Sequence, residues 1–150
     1  MIKLLLCTSN LILDVVIRWC KALHMGGMTF QPVARSQRNS HAIVQLPQGP
    51  HNTQFPAQIL GLLIFTTTED VFGVISRYAS LNDTDAKCDP YPQFGAVAGQ
   101  LYYDAVEPPF VVNASNFLTL FAMTPMQLDY ISKPVVHVLP LYKVLHSSFS

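Results

Sequence analysis

The sequence has little charge. Only 12% of its 150 residues are Asp, Glu, Lys or Arg, about half of the share that is usual in globular proteins. Half of the residues are hydrophobic, which is typical of a folded core and argues against a disordered chain. We therefore expect one domain whose apolar surface packs inside a larger protein or against a partner.

Cysteine is also scarce. Cys7, Cys20 and Cys88 match no zinc spacing and no disulfide framework, which predicts a reducing compartment, nuclear or cytoplasmic, and not a secreted protein. The apolar run at Leu4–Leu6 is soon interrupted by polar residues, and no cleavage site follows it. It is too short and too polar to predict a membrane span.

The motifs of catalysis and cofactor binding are absent. No phosphate-binding glycine loop and no Gly-x-Ser-x-Gly elbow occurs, and the acidic run 83–89 lacks the ligand pattern of a calcium loop. None of the five histidines lies at ligand spacing from another histidine or from a cysteine: His24, His41, His51, His137 and His146. We predict a non-enzymatic protein without a catalytic residue, cofactor or metal.

The charge that is present is unevenly divided. Residues 1–50 carry five basic residues and one acid, whereas residues 51–150 carry four basic residues and eight acids. An acidic main region is a poor electrostatic match for nucleic acid. Direct nucleic-acid binding is therefore expected to be weak, with Arg35 and Arg38 as solvated side chains.

The first 24 residues form a separate segment. Apolar residues at helical spacing predict an amphipathic helix over 1–24: Leu5, Ile12, Val16, Trp19 and Leu23. Alternatively, translation starts at Met25 or Met28 and the segment is a gene-model extension. A polar linker is predicted over 25–40, a β module over 41–145 and a tail over 146–150.

Short apolar runs between turn residues predict strands over 41–46, 57–65 and 71–78. The polar residues 66–70 predict a hairpin connection, and Gly61 and Gly73 suggest bulges or sharp bends. Asp83 is expected to cap a short helical turn that extends to Lys87.

Further strands are predicted over 101–103, 110–113 and 134–142, the last with Val136, Val138 and Leu141 packing inward. Residues 115–123 fit a helical turn or a strand equally well. Short strands joined by turns predict a mainly β fold, a small, partly open SH3-like barrel of five to six strands.

Aromatic residues border the acidic loop that ends at Asp89. Tyr91 and Tyr102 follow this loop in the chain, and Tyr78 ends the strand before it. Such rings at the rim of a small barrel could form a peptide or methyl-lysine pocket, or they could simply fill the core. The candidate recognition surface is Tyr78, Asp89, Tyr91 and Tyr102.

Several short motifs occur in an order that is shared with a known family. They are Asn39-Ser-His41, Ile59-Leu60, Asp85-Ala86, Asp89-Pro90-Tyr91, Leu101-Tyr-Tyr103 and Val136-His-Val-Leu-Pro-Leu141. Over about residues 36–145 the chain resembles a segment of basidiomycete transposon-associated, transposase-like proteins, similar to SH3-like and bromo-adjacent-homology barrels. Pro92-Gln93 and Tyr142-Lys143 depart from that pattern and weaken any contact with DNA.

The resemblance implies a fungal, transposon-derived accessory module without catalytic residues of its own. We expect a non-catalytic module that binds a protein, a peptide or chromatin. The alternative is a structural remnant of a larger transposase-like enzyme with no independent activity. The identity of the partner and the oligomeric state are left open.

Overall fold

The computed structural model describes residues 2–8, 11–48 and 51–142, which are mostly in strands. The strands are β1 (Ile2–Thr8), β2 (Leu11–Trp19), β3 (Leu23–Met25), β4 (Met28–Phe30), β5 (His41–Gln48), β6 (His51–Phe65), β7 (Val71–Ser80), β8 (Gln100–Val106), β9 (Phe110–Asn113), β10 (Phe117–Met126) and β11 (Val135–Pro140). One short helix, α1 (Asp83–Ala86), follows β7. No helix in the described ranges is long and apolar enough to span a bilayer.

Six strands form a ring-like sheet. They pair in the order β6-β5-β10-β11-β8-β7, and β7 pairs again with β6. Every one of these pairings is antiparallel. The ring is not a closed barrel, and the sheet continues beyond it through β2 and β1 on one side and β9 on the other. The prediction of a mainly β fold is confirmed, with about six strands in the ring.

The predicted helix over residues 1–24 is wrong. Strands β1 and β2 form a hairpin in register from Ile2 opposite Ile17 to Thr8 opposite Leu11, and β2 then pairs with β6. Apolar residues lie on all sides of a helix drawn through this segment, and four residues of β2 are β-branched, which favours a strand. Residues 1, 9 and 10 lie outside the described ranges.

A second hairpin spans the predicted boundary between helix and linker. Strands β3 and β4 are joined by Gly26 and Gly27, whose φ angles of 58° and 71° suit the tight turn of a two-residue hairpin. Phe30 at the end of β4 is fully buried. Part of the predicted polar linker over 25–40 therefore packs onto the core, whereas the predicted tail over 146–150 lies outside the described residues.

Buried side chains form three clusters. The main core includes Phe30 and Phe117, whose ring centroids are 5.3 Å apart. The ring core comprises Ile43, Tyr78, Phe121, Val136 and Val138, with Tyr102, Leu118 and Met123 packed against it. Because its residues come from five of the six ring strands, it lies inside the ring. The third cluster, which we call the loop core, comprises Leu101, Tyr103, Ile131 and Val135, with Tyr91 packed against it.

The details of the strands test other predictions. A register shift between Ile59 and Gly61 confirms the bulge at Gly61, where a side chain would overlap the indole of Trp19. The hairpin connection at 66–70 is confirmed as well. Val136 and Val138 point inward as predicted, but Leu141 is 48% exposed because it follows the end of β11.

The structure corrects the predicted cap of the short helical turn and decides the conformation of residues 115–123. The cap of α1 is Asn82 and not Asp83, since the side-chain oxygen of Asn82 accepts a hydrogen bond of 2.7 Å from the backbone N–H of Asp85. The ambiguous stretch 115–123 is a short turn followed by β10. Burial alternates along the first half of β10, so that the side chains of Phe117, Thr119 and Phe121 are buried.

Candidate functional site

A cavity of about 180 Å³ opens at one end of the ring. It lies where the first half of β6 faces the start of β8 and the end of β11. Its lining residues are Ile43, Gln54, Phe55, Pro56, Gly99, Gln100, Tyr102, Val138, Pro140 and Tyr142. We call it the ring-mouth cavity.

Tyr102 forms one wall of this cavity. It lies on β8 opposite Val136 of β11 and Ser80 of β7, so it is held by pairing on both sides. Burial raises the pKa of the Tyr102 phenol, the charge of Asp89 adds to this rise, and the charge of Arg77 opposes it. The phenol is therefore protonated at neutral pH and can donate a hydrogen bond.

Close backbone packing builds the rim. Gly99 has a φ of +75°, and a side chain there would overlap the carbonyl oxygen of Val138. One residue earlier, the carbonyl oxygen of Ala98 lies 2.7 Å from the Nε2 atom of His137. The segment before β8 is thus pressed against β11, and only glycine allows this approach.

Among the residues that the structure describes, the lining of the ring-mouth cavity has no charged residue. Its polar side chains include the amides of Gln54 and Gln100 and the phenols of its two tyrosines. Gln54 donates a hydrogen bond of 3.1 Å to the side chain of Gln45 on the paired strand. The guanidinium carbon of Arg77 lies 4.9 Å from the ring centroid of Phe55, outside the lining set.

The four residues predicted as a recognition surface lie in different places. Tyr102 lines the ring-mouth cavity, whereas Tyr78 is only 4% exposed and packs edge-on against Phe121, with ring centroids 6.1 Å apart. Tyr91 stacks on His137, with ring centroids 4.0 Å apart, and packs against the loop core. The structure thus brings Tyr78 and Tyr102 together in the ring core and places Tyr91 elsewhere.

Asp89 fastens the loop that precedes β8. One carboxylate oxygen accepts a hydrogen bond of 3.0 Å from the backbone N–H of Tyr91, and the other accepts one of 2.8 Å from that of Leu101. Both bonds are charge-assisted. The position of Asp89 supports the loop and the start of β8 and leaves neither oxygen without a partner.

Replacing Asp89 by asparagine should lower the free energy of unfolding by about 1.5–3 kcal/mol. The NH2 group of asparagine cannot accept a hydrogen bond, so the backbone N–H of either Tyr91 or Leu101 loses its acceptor. Urea denaturation would measure this loss, and amide exchange at Leu101 should accelerate. Asp83→Asn is the matched control, since the Asp83 carboxylate bonds to no other described residue. Equal losses in both variants would contradict the role given to Asp89.

Several residues that line the ring-mouth cavity were not predicted as site residues. Phe55, Pro56 and Pro140 lie on β6 and β11, more than 70 residues apart in the chain, and Tyr142 follows β11. A proline inside a strand is unusual, so Pro56 marks this part of β6 in the sequence. Their convergence depends on the pairing of the ring and has no local signature.

No group of three or more His, Cys, Asp or Glu side chains in the described ranges could hold a metal ion. The chain matches no protein-family model, no curated protein and no solved structure.

Proposed function

We propose that this protein is a non-catalytic peptide-binding module, in which an extended segment of a partner inserts one uncharged apolar side chain into the ring-mouth cavity. The observation that supports the proposal is the cavity itself, which combines an apolar, aromatic lining with two side-chain amides and has no charged residue. A strand-like peptide presents side chains and backbone polar groups in this combination.

The size of the cavity supports a peptide over a small metabolite. Sites for small molecules and cofactors occupy roughly 300–1,000 Å³, and the ring-mouth cavity has about 180 Å³. This volume fits one or two side chains. The rest of a peptide would lie across the rim, where Tyr142 is 55% exposed.

The charge around the cavity supports a neutral side chain over methyl-lysine. Methyl-lysine pockets place a cation on the faces of aromatic rings. Here Arg77 already lies over Phe55 at 4.9 Å, and its charge also acts on Tyr102. A second cation would be repelled. The lining also lacks the basic residues that a nucleic-acid phosphate backbone requires.

Aromatic rings beside hydrogen-bonding side chains are typical of grooves that bind proline-rich peptides in SH3-like domains. In the ring-mouth cavity, Tyr102 and Tyr142 would pack against the peptide. Gln54 and Gln100 would bond to its backbone. We extend the proposal accordingly to an SH3-like module of a transposon-derived protein.

An array of random decapeptides, supplemented with methyl-lysine peptides, tests the proposal. We expect enrichment of uncharged peptides with an apolar residue at one position, and no enrichment of methyl-lysine. Tyr142→Ala should weaken a selected peptide about fivefold to tenfold, as loss of an aromatic contact does. Tyr130→Ala is the matched control, because Tyr130 is 56% exposed and lies outside the cavity lining.

A different outcome would favour a second candidate function, a structural segment of a larger enzyme. Phe94 and Val97 are 65% and 87% exposed on the loop before β8, and Val111 on β9 is 55% exposed. Such apolar surface suits contacts within a larger assembly. An array without enrichment, together with self-association of the chain during gel filtration, would support this candidate and contradict peptide binding.

A further inference from the structure

The loop between α1 and β8 carries two exposed apolar side chains close to the ring-mouth cavity. Phe94 is 65% exposed and Val97 is 87% exposed, and both precede Gly99, which lines the cavity. Val97 is only two residues from Gly99 in the chain, so the Cα atoms of these residues lie at most about 7.6 Å apart. We call Phe94 and Val97 the rim strip.

Hydrogen bonds hold the rim strip in its exposed position. The backbone N–H of Phe94 donates to the carbonyl oxygen of Tyr91 at 2.9 Å, and that of Ala98 donates to the carbonyl oxygen of Gly95 at 3.1 Å. The carbonyl oxygen of Ala98 in turn lies 2.7 Å from Nε2 of His137. The exposed side chains therefore belong to a braced turn, so a partner that covers them does not have to order this segment first.

The surface that joins the rim strip to the cavity is uncharged. No Asp, Glu, Lys, Arg or His occurs between Asp89 and Asp104 in the sequence, and both oxygens of the Asp89 carboxylate accept backbone hydrogen bonds. Ala98 and Gly99, which link Val97 to the cavity, are themselves partly exposed. A neutral partner can therefore pass from the cavity to the strip, whereas a charged group finds no counter-charge there.

The distance from the cavity to the strip matches the side-chain spacing of a peptide. In an extended strand, side chains on one face repeat every second residue, or about every 6.6–6.8 Å. In a polyproline helix they repeat every third residue, or about every 9.3 Å. A peptide that places one side chain in the ring-mouth cavity and runs towards the strip therefore brings a second side chain to Val97.

We propose that the rim strip is a second recognition position of the peptide site, where an apolar side chain packs on Val97 while another, two or three residues away in the same uncharged segment, fills the ring-mouth cavity. Phe94 extends this contact surface beyond Val97. The inference rests on the peptide binding proposed above. It adds selectivity, because two apolar residues at a fixed spacing occur in far fewer segments than one.

A membrane is a less suitable occupant of the rim strip. Proteins that bind to membrane surfaces combine inserted apolar side chains with basic residues that attract anionic headgroups. The first charged residues on either side of the strip in the chain are Asp89 and Asp104, which are both acidic. An anionic lipid surface would therefore be repelled, whereas an uncharged peptide would not.

A double-mutant cycle on the full chain tests the proposal. The array described above should enrich peptides with a second apolar position, two or three residues from the first. Isothermal titration calorimetry then compares a selected peptide with a version that has serine at this second position. Val97→Ser should weaken binding of the selected peptide about threefold to tenfold, as the loss of part of an apolar contact implies. It should leave the affinity for the serine version unchanged.

Val111→Ser is the matched control, because Val111 is exposed on β9 and lies outside both the rim strip and the cavity lining. It should change neither affinity, whereas Tyr142→Ala should weaken both peptides because it alters the cavity itself. If Tyr142→Ala weakens binding and Val97→Ser does not, the rim strip is not a contact and the proposal of peptide binding stands. An array without enrichment would contradict both proposals.

Two further measurements examine the other possible occupants. The unaltered chain should not sediment with phosphatidylcholine vesicles, and it should elute as a monomer during gel filtration. Sedimentation or self-association that Val97→Ser abolishes would assign the rim strip to a membrane or to a second copy of the chain, and would overturn the proposal. Circular dichroism should show that Val97→Ser keeps the fold, since the side chain of Val97 is almost fully exposed.

Discussion

Replacing Tyr78 by alanine is expected to lower the free energy of unfolding by about 3–5 kcal/mol, the range observed when a large buried aromatic ring is deleted. Tyr78 is 4% exposed in the ring core, which also contains side chains from β5, β10 and β11. Its ring lies 6.1 Å from that of Phe121 and 6.2 Å from that of His41. Small domains have about 5–15 kcal/mol of stability, so the loss is severe.

Urea denaturation with circular dichroism would measure this loss. Tyr130→Ala is the control, because a surface substitution of this kind changes stability by about 0.5 kcal/mol or less. A cost below about 1 kcal/mol for Tyr78→Ala would contradict the packing of the ring core.

Tyr78 also makes the free energy of unfolding depend on pH in the alkaline range. Burial, assisted by the charge of Asp104, raises the pKa of Tyr78 to about 12, above its ordinary value of 10.0. Between pH 10 and 12 the phenol of Tyr78 therefore keeps its proton in the folded protein but loses it in the unfolded chain. The resulting stabilisation is full below pH 10 and is lost between pH 10 and 12, by at most about 2–3 kcal/mol. Tyr78→Phe should remove this part of the pH profile.

Replacing Gly99 by alanine is expected to lower the free energy of unfolding by about 3 kcal/mol or more. Two costs combine at this position. A side chain at a φ of +75° is strained, which costs about 1–3 kcal/mol. The new methyl group would also overlap the carbonyl oxygen of Val138, and backbone cannot move aside as a flexible side chain can.

Gly95→Ala separates the two costs. Gly95 has a φ of +80°, but no atom lies within 4 Å of the place that its side chain would occupy. This variant should lose about 1–3 kcal/mol from strain alone. Equal losses in the two variants, measured by urea denaturation, would show that the close approach of Gly99 to β11 contributes nothing. A peptide selected on the array should also bind Gly99→Ala more weakly, since Gly99 lines the ring-mouth cavity.

The sequence predicts the parts of the fold that are determined locally. The hairpin connection at 66–70 and the bulge at Gly61 follow from residue types that favour turns and bends. Strand β7 was predicted over 71–78 and ends only two residues later. In each case neighbouring residues supply the physical cause.

The N-terminal segment shows where local reasoning fails. Strand β2 pairs with the end of β6, from Ile17 opposite Phe65 to Trp19 opposite Leu63, more than 40 residues away in the chain. A few apolar residues at helical spacing cannot exclude a strand when the remaining positions are apolar too. Tertiary pairing then decides the conformation.

The candidate sites were predicted only in part. Tyr102 was chosen because aromatic rings at a rim often bind ligands, and it does line a cavity. The buried Nε2 atom of His41, which has no hydrogen-bond partner among the residues that the structure describes, was not predicted. Whether a buried polar atom has a hydrogen-bond partner depends on tertiary packing and cannot be predicted from the spacing of residues in the sequence.

The order in which the ring is assembled has a consequence for folding. Strands β5, β6 and β7 follow one another and can pair through short connections. The contact of β5 with β10, however, joins residues such as Ala42 and Leu120 that lie far apart in the chain. Topologies dominated by distant contacts fold slowly, on the order of milliseconds to seconds. On the ribosome, the edge of β5 that pairs with β10 therefore stays unpaired until β10 has been made.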